Sequence, residues 1–290
     1  MSNVYGMVNN RILELLEKGT VPWRKPWKGV SGMPCNLVSK REYHGINLFL
    51  LSAMEYNSPY WMTYRQATEK GGHVRQGEKA TPVIFWKWID RKDSNDPEAD
   101  ASGKIPLLRY YSVFNVEQCE GIKVPDPEEE IHIFSPVERA EEIVTYMPNR
   151  PVISYGGKSA SYSPLGDSIK MPTPEQFISS EEFYSTLFHE LTHSTGHVSR
   201  VGRKSVQEPS YFGSHEYSKE ELVAEMGAAF LCASSGIEQK TLENSAAYIS
   251  GWLSELKNDK KMLVTAAAQA QKAADYILYR KGGEESEASE

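Results

Sequence analysis

The sequence predicts an α+β fold in two successive parts, a mixed helix–strand part followed by a mainly helical one. Three observations carry this. Two strand-like runs, 83–88 and 107–116, stand in the first part among short amphipathic helices. The second part holds two helical runs whose polar residues, His189, Glu190, His193 and Glu221, have the types and spacing of a metal site. Charge divides along the same line: residues 1–92 hold 14 Lys and Arg against 7 Asp and Glu, although the whole chain carries a net charge of −7. At 290 residues the chain exceeds one average domain. The expected boundaries are a first domain over 1–125, a linker over 126–134, a second domain over 135–280 and a disordered acidic tail over 281–290.

Residues 3–18 place Val4, Val8, Ile12, Leu15 and Leu16 on one helical side, and Gly19 ends the run. In Val21-Pro22-Trp23-Arg24-Lys25-Pro26-Trp27-Lys28 the two prolines forbid regular structure. Rings alternate with cations there. Flat rings stack on unpaired bases while cations hold phosphates, so Trp23, Arg24, Lys25, Trp27 and Lys28 are expected to grip single-stranded DNA. The competing reading is that each tryptophan, taken singly, is a core residue. Lys40, Arg41, Tyr43 and Asn47 extend the candidate surface ahead of a helix over Leu48–Leu51. Trp61–Ala67 reads as a second short helix ended at Gly71-Gly72. The turn His73–Lys79 offers Arg75, Lys79 and backbone amides to phosphate. The two strands follow, separated by a polar insertion over 90–104.

The second part opens with a helix over 135–147, where Ser135-Pro136 supplies a cap and proline at the first helical position. A strand over 152–155 and a hairpin over 160–172 come next, and the hairpin's second strand is the expected substrate edge. Ser179 or Ser180 then starts a helix whose Phe183, Leu187 and Leu191 form its apolar side. His189 and His193, four apart, share one face, which suits two imidazoles on one Zn²⁺. Glu190 is the expected general base.

A third ligand is required. His197 would put three ligands in line along one helix, and position 199, where a longer HExxHxxGxxH pattern needs histidine, is serine. The better source is the run Tyr217–Leu231, in which Ser218 and Glu221 look like a capping box and Glu221 and Glu225 share an Ala-rich face. Carboxylates there are costly unless something ionic holds them. Glu221 is the expected ligand and Glu225 the partner of a ligand histidine, although the reverse assignment fits the same spacing. Between the two helices, Tyr211, His215 and Tyr217 are candidates for steadying an oxyanion or substrate. Residues 241–279 read as helical.

Taken together, these stretches resemble the ArdC-like antirestriction proteins of plasmids and phages. The resemblance rests on Val21–Trp27, Gly45-Ile46-Asn47, Trp61-Met62-Thr63 with Gln66-Ala67, and Gly71–Lys79. In the second part it rests on Asp167–Pro172, His189–His197 and Glu221–Glu225. It implies an N-terminal domain that binds single-stranded DNA and a C-terminal zincin-like (gluzincin) metallopeptidase domain. It also implies protection of incoming DNA from host restriction, with a protein of that machinery as a conceivable substrate. Zn²⁺ is the expected ion, with Mn²⁺ or another divalent ion as the alternative. Two other readings compete: a DNA-binding shield whose metal site is structural or inactive, and a metalloprotease whose basic part recognises protein.

No apolar run approaches the ~20 residues of a membrane span. Cys35, Cys119 and Cys232 are odd in number and far apart, as free thiols of a reducing compartment would be. No secretory leader profile opens the chain, and a cytoplasmic location is expected.

Overall fold

A computed structural model describes residues 4–24, 33–54, 56–90, 104–125, 135–208, 211, 214–237 and 246–280. Helix α1 (Val4–Glu17) buries Val4, Val8, Ile12 and Leu16, the expected stripe, and Gly19 leaves it at a φ of +81°. Strand β1 (Cys35–Asn36), helix α2 (Ile46–Ser52) and strand β2 (Tyr60–Thr63) follow. The expected helix over Trp61–Ala67 is therefore half strand. Helix α3 (Tyr64–Glu69) begins only where Thr63 and Gln66 exchange side-chain and backbone hydrogen bonds in a capping box. Bulky residues before that box suit either state, and strand pairing decides between them.

Strands β3 (His73–Val74), β4 (Thr81–Asp90), β5 (Lys104–Asn115) and β6 (Cys119–Glu120) complete the first part. One sheet runs β1-β2-β5-β4, parallel at β1–β2 and antiparallel elsewhere, and β3 pairs with β6. Helix α2 is fastened to the sheet by the Asn47 amide, which donates to the Ile84 carbonyl and accepts from its N–H, both at 2.7 Å.

The second part comprises α4 (Pro136–Tyr146), β7 (Val152–Tyr155), β8 (Ser161–Ser163), β9 (Ser168–Met171), α5 (Ser180–Ser194), α6 (Lys204–Gln207), α7 (His215–Ser235), α8 (Ala246–Asn258) and α9 (Met262–Ile277). Its sheet runs β7-β9-β8. Strand β9 is central and bonded on both sides, so it is not the free edge expected of it; the edges of this sheet are β7 and β8, the hairpin's first strand. Helix α7 starts a turn earlier than Ser218, because the Ser214 hydroxyl accepts the Tyr217 N–H. The helical stretch expected near the C-terminus is divided in two. Asp259 accepts the N–H groups of Lys261 and Met262, which closes α8 and caps α9.

One apolar cluster joins α1 and α2 of the first part to α5, α7 and α9 of the second. Phe49 stacks on Phe230 at 4.9 Å, and Trp23 meets Trp252 edge-on at 5.9 Å. The Asn9 amide donates to the Leu256 carbonyl at 2.8 Å. Helix α7 is apolar on nearly every side over Leu222–Cys232, as expected of a helix at the centre of a core. The proposed domain boundary thus divides the sequence but not the core.

Candidate metal centre

Helix α5 is started by Ser179, whose hydroxyl accepts the Glu182 N–H, and Glu181 and Glu182 lie at its positive end. Burial of Phe183, Leu187 and Leu191 fixes its rotation and turns His189 and His193 toward α7. Close approach of the two helices depends on Gly227: a Cβ there would stand 2.4 Å from Cγ2 of Thr192. Glu221 is thereby brought to the histidines.

Nε2 of His189 and Nε2 of His193 are 3.1 Å apart, and each lies 3.5 Å from an oxygen of Glu221. Three donors held about 2.1 Å from one ion at tetrahedral angles stand about 3.4 Å from one another. The donor set fits. Two imidazole nitrogens and a carboxylate oxygen converge this closely only around a proton or a cation, and these three residues form a group able to hold a metal. Burial works against the Glu221 charge, but hydrogen bonds from both histidines outweigh it and hold the carboxyl well below the usual range. Imidazole and carboxylate donors suit Zn²⁺ and accept Mn²⁺.

The carboxylate behind His193 is Glu220, not Glu225. Nδ1 of His193 lies 3.2 Å from Glu220, which also receives two guanidinium hydrogen bonds from Arg203, at 2.6 and 3.0 Å, and the Ser205 hydroxyl at 2.5 Å. Burial would raise the Glu220 pKa, but His193 and Arg203 outweigh it and bring it to about 2. Burial likewise opposes the His193 charge, and the two carboxylates beside it prevail, raising its pKa to about 9 in the metal-free protein. Glu225 is answered from the first part of the chain. The Arg24 guanidinium donates to its two oxygens at 2.6 and 3.1 Å and lies 3.8 Å above the Tyr248 ring. Sequence reasoning missed Glu220 although it adjoins Glu221, because a buried Arg203 partner cannot be read from spacing.

Glu190 lines the same cleft, of about 480 Å³, together with Tyr217, Ser161 and Tyr162. Of the three oxyanion candidates only Tyr217 is there. Burial, the Glu221 charge together with a hydrogen bond to Glu221, and the Glu190 charge raise its phenol to about 12, so it stays protonated. His215 is turned away, bonded to Glu255 at 2.8 Å and Asp259 at 3.3 Å, and Tyr211 is 89% exposed outside the cleft lining. His197 hydrogen-bonds Ser199 at 2.8 Å and is not among the donors.

The expected DNA contacts separate into three groups. Trp23 is 1% exposed, Arg24 is committed to Glu225, Tyr43 is buried and Asn47 holds the sheet. In these four, packing or hydrogen bonds within the chain occupy the side chain. Lys40, Arg41, Arg75 and Lys79 are exposed, Arg75 beside Glu78 at 2.9 Å. Lys25, Trp27 and Lys28 lie outside the described residues.

Residues 2–114 match the family model for the N-terminal domain of anti-restriction factor ArdC, and residues 138–269 match that for a zincin-like metallopeptidase. The crystal structure of antirestriction protein ArdC from plasmid R388 in its metal-free form is similar at a TM-score of 0.74 and 37% identity, over 96% of this chain and 97% of that one. Its Mn(II)-bound form is similar at 0.74 and 36%, over 97% and 99%. A DNA primase TraC of Escherichia coli is 38% identical over 289 residues, which is 93% of this chain but 26% of the primase. The chain thus spans about a quarter of that relative. An uncharacterized protein, y4eC, of Sinorhizobium fredii is 31% identical across 92% of its own length.

Proposed function

The chain belongs to the ArdC family of antirestriction proteins, and from that premise we propose that it binds single-stranded DNA and carries a working metallopeptidase site that helps shield incoming DNA. The observation that carries the enzymatic half is the convergence of His189, His193 and Glu221 beside Glu190 in an open cleft. A divalent ion held by those three supplies Lewis acidity and brings the pKa of a water toward neutrality. Glu190 takes a proton from the attacking water and returns it to the leaving amine nitrogen. Tyr217 donates its phenolic O–H to the carbonyl oxygen as that oxygen gains charge. The edge of β8 beside the cleft suits an extended peptide, held by backbone hydrogen bonds.

The DNA half is supported by the family match and the positive surplus of residues 1–92. Its candidate contacts are Lys25, Trp27, Lys28, Lys40, Arg41, Arg75 and Lys79.

Two assays test the reading. Fluorescence anisotropy with single-stranded and duplex oligonucleotides at two salt concentrations should show strand-selective affinity that falls steeply with salt. Weak, salt-insensitive binding would favour a basic part that recognises protein. Glu190→Ala should abolish peptide hydrolysis, a loss of at least about 10²-fold, while metal and DNA affinity stay unchanged. Full protection of transferred DNA by that variant would instead identify a shield with an idle metal site.

A further inference from the structure

The side chains behind His193 form a device that the proposed chemistry does not use directly. Glu220 and Glu221 are consecutive on α7, yet they straddle one imidazole: Glu220 lies 3.2 Å from Nδ1 and Glu221 3.5 Å from Nε2. Arg203 is 6% exposed, and its guanidinium donates to four residues at once, the His193 carbonyl at 3.4 Å among them. It donates to both oxygens of Glu220, to the Thr195 hydroxyl at 2.5 Å and to the Thr192 carbonyl at 2.8 Å. The last two belong to the end of α5, the helix that carries both histidines. A carboxylate held by an arginine can only accept, so the proton between Glu220 and His193 resides on Nδ1. Nε2 is then the nitrogen that would offer its lone pair to an ion held with His189 and Glu221.

We infer that Glu220 and Arg203 are positioning residues for the metal centre. Glu220 sets the tautomer and ring orientation of His193, and Arg203 locks Glu220 to the end of α5. This rests on the reading that His189, His193 and Glu221 hold the ion. Arg203 also compensates the charge of Glu220.

The test measures Zn²⁺ affinity of the full chain by chelator competition. Glu220→Ala alone strands a buried arginine and endangers the fold, so the main variant is the pair Glu220→Ala/Arg203→Met, which removes both charges. Zn²⁺ affinity should fall about 10–100-fold, the usual effect of removing such a partner. Glu220→Gln, which keeps an oxygen to accept from Nδ1, should recover most of the loss. In ¹⁵N-histidine spectra of the Zn²⁺-loaded protein, the protected Nδ1–H of His193 should be present in the wild type and lost in the double variant. Wild-type affinity in a folded double variant, or an unprotonated Nδ1 in the wild type, would overturn the inference. Absence of Zn²⁺ binding by the wild type would instead refute the metal reading on which it rests.

Discussion

Glu225 sits one helical turn beyond the candidate ligand Glu221, and its charge is answered by Arg24, about two hundred positions away in the sequence. Both side chains are about one-fifth exposed, so the pair is neither a surface ornament nor fully dry. Arg24→Ala should destabilise the protein by about 2–3 kcal/mol in urea titrations, somewhat less than the ~3–5 kcal/mol for a fully buried pair. An effect under about 0.5 kcal/mol, the scale of an exposed pair, would contradict this. Trp23→Ala should cost about 3–5 kcal/mol, as for any aromatic removed from a core. Its cost to DNA binding should not exceed what unfolding accounts for. The residues of the site were legible where chemistry depends on local spacing: His189, Glu190 and His193 follow from one helical turn, and Glu221 follows from a carboxylate stranded on an apolar helix. Roles set by distant partners were not. Arg24, Tyr43 and Asn47 have side chains that could serve a DNA surface, and their engagement with other elements cannot be read from spacing.

At the scale of elements, His189, His193 and Glu221 meet because α7 approaches α5 where it carries no side chain, at Gly227. Gly227 faces Thr192, which lies between His189 and His193 in the sequence and donates to the Phe188 carbonyl at 2.7 Å. Gly227→Ala should push the helices apart, lowering stability by about 1–3 kcal/mol and weakening Zn²⁺ binding in parallel. Adding Thr192→Ala should restore both, because it vacates the space the new methyl needs. Unaltered metal affinity in the single variant would show that helix spacing does not control the donors. The main helices could be read from their caps and apolar stripes. Strand order could not: the hairpin over 160–172 was visible, but its second strand is covered by β7, which arrives in parallel from earlier in the chain. The capping box at Thr63 and the turn at Asp259 were likewise hidden inside runs whose composition suits helix and strand alike, or helix throughout.

For the whole molecule, charge and motif divide the chain in two, whereas its apolar interior does not. Residues 135–280 expressed alone would lose the cover that α1 and α2 give to Phe230, Leu256 and the α9 face. That fragment should lack a sharp thermal transition and bind apolar dyes, while the full chain should unfold in a single cooperative step. A fragment that melts cooperatively with full helical content would refute this. Charge segregation is a property of surfaces and can be read by counting, but which surfaces meet depends on shape.

The stacking of Phe49 on Phe230 also bears on inheritance. A recombination point placed at the apparent boundary would part rings that need each other, leaving each product with an uncovered apolar face. Selection would then favour exchange of the two halves as one cassette. The relatives have that form: 93% of this chain aligns within a TraC primase of which it makes up only 26%, so the pair is found whole inside a much longer polypeptide.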